Sequence, residues 1–263
     1  MAKTKIDWCD FTWNPIWGCP NGCPYCYARG IARRFGKKVG LREARWHFEN
    51  KEDISYLNGI SSTRITDFVE PLVLWHRMEC DFPRKPSRIF VNSMSDVAKW
   101  PAGAMGHVME RISLNNQHQY LFLTKSPRFY AEDFLQYFNG VRAARNVWAG
   151  VTITGAEHPS AFSNTVNTAN QLAAARVPMF LSIEPLLKFD PFNFMSFFKV
   201  LTMTGGLKWV IIGAENGNRI GKVIPKKEWI LEIARWCGVV GIPVFMKSSL
   251  KGIVKLDQSS PPF

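Results

Sequence analysis

Short apolar runs recur along this chain, and most are followed by a stretch that suits a helix. The runs are Phe11–Trp17, Arg88–Val91, Tyr120–Leu123, Val147–Ile153, Pro178–Ile183, Trp209–Ile212 and Pro243–Met246. Each has strand length and is rich in β-branched or aromatic residues. They are near-continuous rather than alternating, which is how parallel strands covered on both faces read. Helices are expected over 26–36, 67–79, 102–114, 129–138, 160–175 and 226–237, the last with apolar residues at three- and four-residue spacing. This alternation predicts an α/β fold with a parallel sheet: a full or partial (β/α) barrel, or a doubly wound sheet. No GxGxxG or Walker lysine motif follows any run, which weighs against the common nucleotide-binding sheets. The segment 37–66 lacks periodicity and reads as an insertion after the first helix.

Polar residues close the runs. They are Asn92, Ser93, Ser95 and Asp96 after the second, and Thr124 and Lys125 after the third. Thr152 and Thr154 follow the fourth, and Ser182 and Glu184 the fifth. Gly213, Glu215 and Asn216 follow the sixth, and Lys247 and Ser248 the last. In a barrel such residues converge on the C-terminal face, where these folds place their sites. Loops are polar in any case, so the recurrence at successive strand ends carries the inference rather than any one residue. Glu184, Glu215 and Asn216 are the substrate-side candidates.

Charge bears on the partner. The chain has 33 basic and 21 acidic side chains among 263 residues, a net +12. The excess lies at the two ends: residues 1–50 and 201–263 each carry nine basic and four acidic side chains. Such a surface attracts polyanions, nucleic acid above all. Arg33, Arg34, Lys37 and Lys38 form one basic run; Lys247, Lys251 and Lys255 form another. Trp8, Trp13, Trp17 and Trp46 either stack on bases beside these cations or pack the end of a barrel. No apolar run approaches the ~20 residues of a membrane span. The N-terminus shows no secretory signal, so a cytoplasmic protein without a membrane partner is expected.

Three of the six cysteines fall within eight residues. The sequence WNPIWGCPNGCPYCYAR holds Cys19, Cys23 and Cys26 in a C-x3-C-x2-C spacing, after the first run and before a helix. A disulfide framework belongs to small secreted chains, so metal or redox chemistry is expected instead. Three thiolates on one short loop can hold three irons of a cubane cluster. A zinc site would need a fourth ligand, for which Cys9, ten residues upstream, is the available cysteine. Cysteines and tyrosines (Tyr25, Tyr27) without a shared role are the third alternative.

This motif, with aromatic Tyr25 just before Cys26, resembles the signature of the radical S-adenosylmethionine superfamily. More narrowly, Asn14-Pro15, Gly18-Cys19, Gly22-Cys23, Cys26-Tyr27-Ala28-Arg29 and Thr124-Lys125-Ser126 resemble the spore photoproduct lyase-like branch. The run IDWCDFTWNPIWGC is similar to a phage- and prophage-encoded group of three-cysteine proteins. The resemblance implies a partial (β/α)6 barrel in a single domain over 1–263, with its core at about 11–250 and a tail at 251–263. It implies a [4Fe–4S] cluster on Cys19, Cys23 and Cys26, S-adenosylmethionine as cofactor, and an external one-electron reductant. Tyr25, Ser93, Ser95, Asp96, Lys125, Thr152 and Thr154 fall where such proteins contact that cofactor. The implied activity is of lyase or isomerase type, in a bacterial cell or phage-infected host. Its substrate would be a nucleic-acid base, DNA favoured and thymine-derived by analogy. A tRNA or free-nucleoside modifier is the alternative, and a non-catalytic, metal-stabilised nucleic-acid-binding protein is the alternative of another class. Arg33, Arg34 and Lys247 would face the substrate. The lyase branch has a hydrogen-donating cysteine shortly before its serine–aspartate pair; this chain reads Val91-Asn92-Ser93-Met94-Ser95-Asp96 there.

Overall fold

A computed structural model describes residues 1–50, 62–138 and 146–261. The fold is mixed α/β, and most of its strand pairs are parallel. The chain divides into two compact units: residues 1–4 with 9–120, and residues 5–8 with 121–263.

In the first unit, β1 (Ala2–Lys3) pairs antiparallel with β2 (Phe11–Thr12), which runs parallel to β5 (Arg88–Phe90). A separate antiparallel pair joins β3 (Ile16–Trp17) to β4 (Leu72–Val73). The first apolar run is therefore two strands in two sheets. Pro15 has no N–H to donate between them. The expected helix over 67–79 is likewise replaced by β4 and a single helical turn, α3 (Trp75–Met78). Leu72 and Val73 pair with Trp17 and Ile16, and this pairing outcompetes the expected helix.

The first helix, expected over 26–36, runs as α1 (Tyr27–Glu49). It buries Ala28, Ala32, Gly36, Val39, Glu43 and His47 along one face. Alanine, glycine and a carboxylate give that face little hydrophobic contrast, so its periodicity after residue 36 is hidden in the sequence. A short helix, α2 (Ser62–Asp67), packs along α1. Part of the 37–66 insertion, residues 51–61, lies outside the described residues. The unit's remaining long helix is α4 (Ala104–Leu114).

In the second unit, β6 (Gln119–Thr124, entering from the first) lies beside β7 (Val147–Ile153). Then β8 (Met179–Ile183), β9 (Leu207–Ile212) and β10 (Val244–Met246) follow in order, each parallel to its neighbour. The crossovers are α5 (Pro159–Ala174), α6 (Pro191–Met203) and α7 (Lys227–Val239). β7 and β8 are buried at every position, as the near-continuous apolar runs required. The segment 129–138 forms a π-helical turn and a 3-10 turn instead of a regular helix. Within this unit Trp8 packs against Phe180 and Trp209, and the Ser248 N–H donates to Asp7. No helix among the described residues is long and apolar enough to cross a membrane.

Candidate functional site

The cysteine loop fills the gap between β3 and α1. Gly18 opens it with φ +115, a conformation that side chains avoid; a Cβ there would stand 2.0 Å from the Glu70 carbonyl oxygen. The loop is pinned by its backbone: Gly18 N–H donates to Met94 O (3.0 Å) and Cys19 N–H to Phe68 O (3.2 Å). Phe68 itself has φ 59, a strained conformation for a bulky residue, and its ring packs edge-on against Trp17. Cys26 N–H turns back to Cys23 O (3.2 Å), and Cys26 is the N-cap of α1. The first turn of α1 holds no acidic side chain, so the positive end of its dipole is left to the thiols.

Side chains from the segment after β5 complete the frame. Asn21 Nδ2 donates to Asp96 Oδ2 (2.7 Å), and the other Asp96 oxygen accepts from Ala98 N–H (3.1 Å). Asn14 Oδ1 accepts from both Ser93 Oγ and Met94 N–H, each at 3.0 Å. Tyr27 OH donates to Ser93 O (2.7 Å), and Trp100 Nε1 to Ser95 Oγ (2.9 Å). The structure thus sets Ser93 and Asp96 in the frame of the cysteine loop, with Ser95 between them in the chain. Tyr25 lies half-buried within the loop. Asn21 and Phe68 are partners that sequence reasoning missed. Asn21 was visible only as a residue between two cysteines, and nothing marked Phe68.

None of the six cysteines is in a disulfide. Cys19 and Cys26 are half-buried against a cluster that includes Trp17, Ala28, Phe68 and Met94. Burial pushes the Cys19 thiol up to about 11. The Asn21 backbone N–H pulls it down, while the charges of Asp96, Cys26 and Cys23 add to the rise. Deprotonating Cys19 here without a cation is costly, and a bound metal group would remove that cost. The donor set fits an iron–sulfur cluster in kind: three unpaired thiols on one loop beside an apolar wall. Among the described residues no three His, Cys, Asp or Glu side chains are placed to grip one metal ion. A cluster places each thiolate on its own iron.

Most of the other candidates lie in the second unit. Lys125, half-buried, ends β6, and Thr152 is buried in β7. Thr154 donates from its N–H and its hydroxyl to Glu157 Oε1, at 2.6 and 2.7 Å, closing the loop after β7. At the ends of β8 and β10, Glu184 and Lys247 form an ion pair, with little of either side chain exposed. Gly213 ends β9 beside them; a Cβ there would stand 3.0 Å from Glu184 and 3.1 Å from Lys247. Glu215 is buried and held by both arms of Arg219, at 2.6 and 2.8 Å. Hydrogen bonding to that guanidinium keeps its carboxyl below the usual range. Asn216 is exposed. Of the tryptophans considered as base-stacking surfaces, Trp8, Trp13 and Trp17 are core, and Trp46 stacks on Trp75. Arg33 and Arg34 are exposed on α1.

Fold and site together define a mixed α/β protein with a three-cysteine loop at the head of its first long helix. The chain belongs to the family described as "Protein of unknown function (DUF5131)", whose model matches residues 3–254. No curated protein matches it. Among solved structures, the crystal structure of Streptococcus suis SuiB bound to S-adenosylmethionine is similar at a TM-score of 0.49 and 6% identity. That match covers 90% of this chain and 45% of the other, so the chain spans less than half the length of that protein. A likeness this weak says nothing about activity.

Proposed function

We propose that the protein is a radical S-adenosylmethionine enzyme acting on a nucleic-acid base. One observation carries this reading: Cys19, Cys23 and Cys26 stand as free, half-buried thiols on a loop clamped to the segment after β5 and to Phe68. When bound there, a [4Fe–4S] cluster would supply the electron that cleaves S-adenosylmethionine to a 5′-deoxyadenosyl radical. The chain's own part is to hold and shield. The Trp17–Phe68 wall excludes water beside Cys19 and Cys26. The N-terminus of α1 favours negative charge at Cys26. Ser93, Ser95 and Asp96, at the C-terminal end of β5, offer hydroxyl and carboxylate oxygens of the kind that bind an amino group.

Lys125, Thr152 and Thr154 are assigned to the cofactor on resemblance, and Glu184, Glu215, Asn216 and Lys247 to the substrate side. A partial (β/α)6 barrel belongs to the same reading; the run from β7 through α5, β8, α6 and β9 to α7 and β10 supports it. The net charge of +12 supports a polyanionic substrate, with DNA ahead of RNA or a free nucleoside by analogy with the lyase branch. An external donor must supply the electron.

Anaerobic reconstitution with iron and sulfide tests the reading. A brown protein that releases 5′-deoxyadenosine from S-adenosylmethionine under reductant is expected. Each of Cys19→Ala, Cys23→Ala and Cys26→Ala should lose both colour and product, whereas Cys9→Ala should keep them. A colourless zinc protein without the product would refute it.

A further inference from the structure

The outer face of α1 is not used by the site described above. Its buried face leaves Arg33, Arg34, Lys37, Lys38 and Arg42 exposed around the remaining half of the helix. Among the described residues none of these five is in an ion pair; Arg45 has Glu49. Glu43, the helix's other carboxylate, is buried and faces His47 and His76. Arg33 and Lys37, Arg34 and Lys38, and Lys38 and Arg42 are therefore like charges four residues apart, an arrangement that destabilises a helix. A polyanion laid along this face would remove that repulsion.

Exposed apolar side chains occupy the same surface. Phe35 is 47% exposed, Leu41 73% and Phe48 76%, and the Arg34 guanidinium lies 5.9 Å from the Phe35 ring centroid. Taken at 3.6 residues per turn, Leu41 and Phe48 fall between Lys37 and Arg34, and Phe35 lies between Arg42 and the edge of the buried face, so the rings share no face of their own. A helix that lies in a membrane surface separates its apolar face from its charged one. Rings interleaved with cations instead suit a nucleic-acid strand, whose phosphates and bases alternate.

We propose that the outer face of α1 is a nucleic-acid-binding rail, on which Arg33, Arg34, Lys37, Lys38 and Arg42 hold phosphates and Phe35 offers a stacking surface. The stretch from Arg33 to Arg42 is about 14 Å long at 1.5 Å per residue. That is roughly four nucleotides of one strand. The helix begins at the cysteine loop, so the rail leads from Cys26 outward. The proposal rests on the nucleic-acid reading and is independent of the cluster.

The test is binding of the full chain, as purified and after reconstitution, to labelled single-stranded DNA, its duplex and RNA of the same sequence. Affinity should fall steeply with salt. The variant Arg33→Gln/Arg34→Gln/Lys37→Gln/Lys38→Gln keeps good helix formers. It should bind at least about tenfold more weakly at ~0.1 M salt, with the log–log salt slope reduced by about three. The smaller variant Lys37→Gln/Lys38→Gln should show about half that change in slope. Phe35→Ala should weaken single strands more than duplex. Lys199→Gln/Lys208→Gln/Lys226→Gln/Lys227→Gln, with as much charge removed from the second unit, should leave binding within about twofold. Equal loss in the α1 and second-unit variants, or full affinity in the α1 variants, would overturn the rail alone. Failure of the unaltered chain to bind any nucleic acid, or a preference for anionic phospholipid vesicles, would overturn the rail with the nucleic-acid reading. Release of 5′-deoxyadenosine reports on the cluster separately.

Discussion

Glu43 shows how one residue can hold two segments together. It is buried, and its two carboxylate oxygens take four contacts: Trp75 N–H (2.7 Å) and His47 Nε2 (3.1 Å) on one, His76 N–H (3.1 Å) and His76 Nδ1 (2.5 Å) on the other. Burial alone would raise its pKa, but the hydrogen bonds from His76 and Trp75 outweigh it and hold the carboxyl below the usual range. The folded state therefore binds this proton more weakly than the unfolded state. The resulting stabilisation is complete above the unfolded value of about 4.3 and is lost as pH falls through the folded one. Glu43→Ala should lower stability at neutral pH by about 3 kcal/mol, read as a fall in the urea midpoint. Glu43→Gln should lose less and should also remove this group's share of the acid slope. An unchanged slope would show that other carboxylates carry it. None of this was legible in the sequence, where Glu43 falls in the 37–66 segment that lacks periodicity. The three cysteines were legible because their spacing is local. Asn14, Asn21 and Phe68 were not, because their contacts with the loop and its frame join residues about 50 to 80 positions apart, except that Phe68 also strains its own backbone.

At the scale of the element, strands were read better than helices. The runs at 147–153, 178–183, 209–212 and 243–246 correspond to β7, β8, β9 and β10 to within two residues at their ends. Full burial leaves a continuous apolar signal that needs no phase. The helix α6 escaped because its sequence, PFNFMSFFKVLTM, is apolar nearly all round and shows little contrast between faces. Its start is nevertheless marked. Asp190 accepts from the N–H groups of Phe192 and Asn193, and Pro191 opens the first turn. Asp190→Ala should therefore cost about 1 kcal/mol, checked by the chemical denaturation midpoint, while Asp190→Asn should cost less. The helix expected over 67–79 failed for another reason: Leu72 and Val73 gain a strand partner that lies more than fifty residues away in the chain.

At the scale of the whole molecule, the net charge of +12 has a direct physical consequence. Self-repulsion opposes compaction, and salt screens it. Raising sodium chloride from about 10 mM to about 150 mM shortens the Debye length from ~30 Å to ~8 Å. A gain of about 1 kcal/mol from this screening would raise Tm by about 2–4 °C in a chain of this size, read by calorimetry. A falling Tm would mean that attractive ion pairs outweigh the repulsion. By itself the sequence determined the α/β class, the places of most parallel strands along the chain and the cysteine loop's place before a helix. Each of these is carried by periodicity or by spacing over a few residues. Only the tertiary structure decided that Asp96 clamps Asn21, that Glu43 is buried, and that the cations of α1 face outward together. These outcomes depend on which distant segments meet, because hydrogen bonds and burial act through space while the sequence orders residues only along the chain.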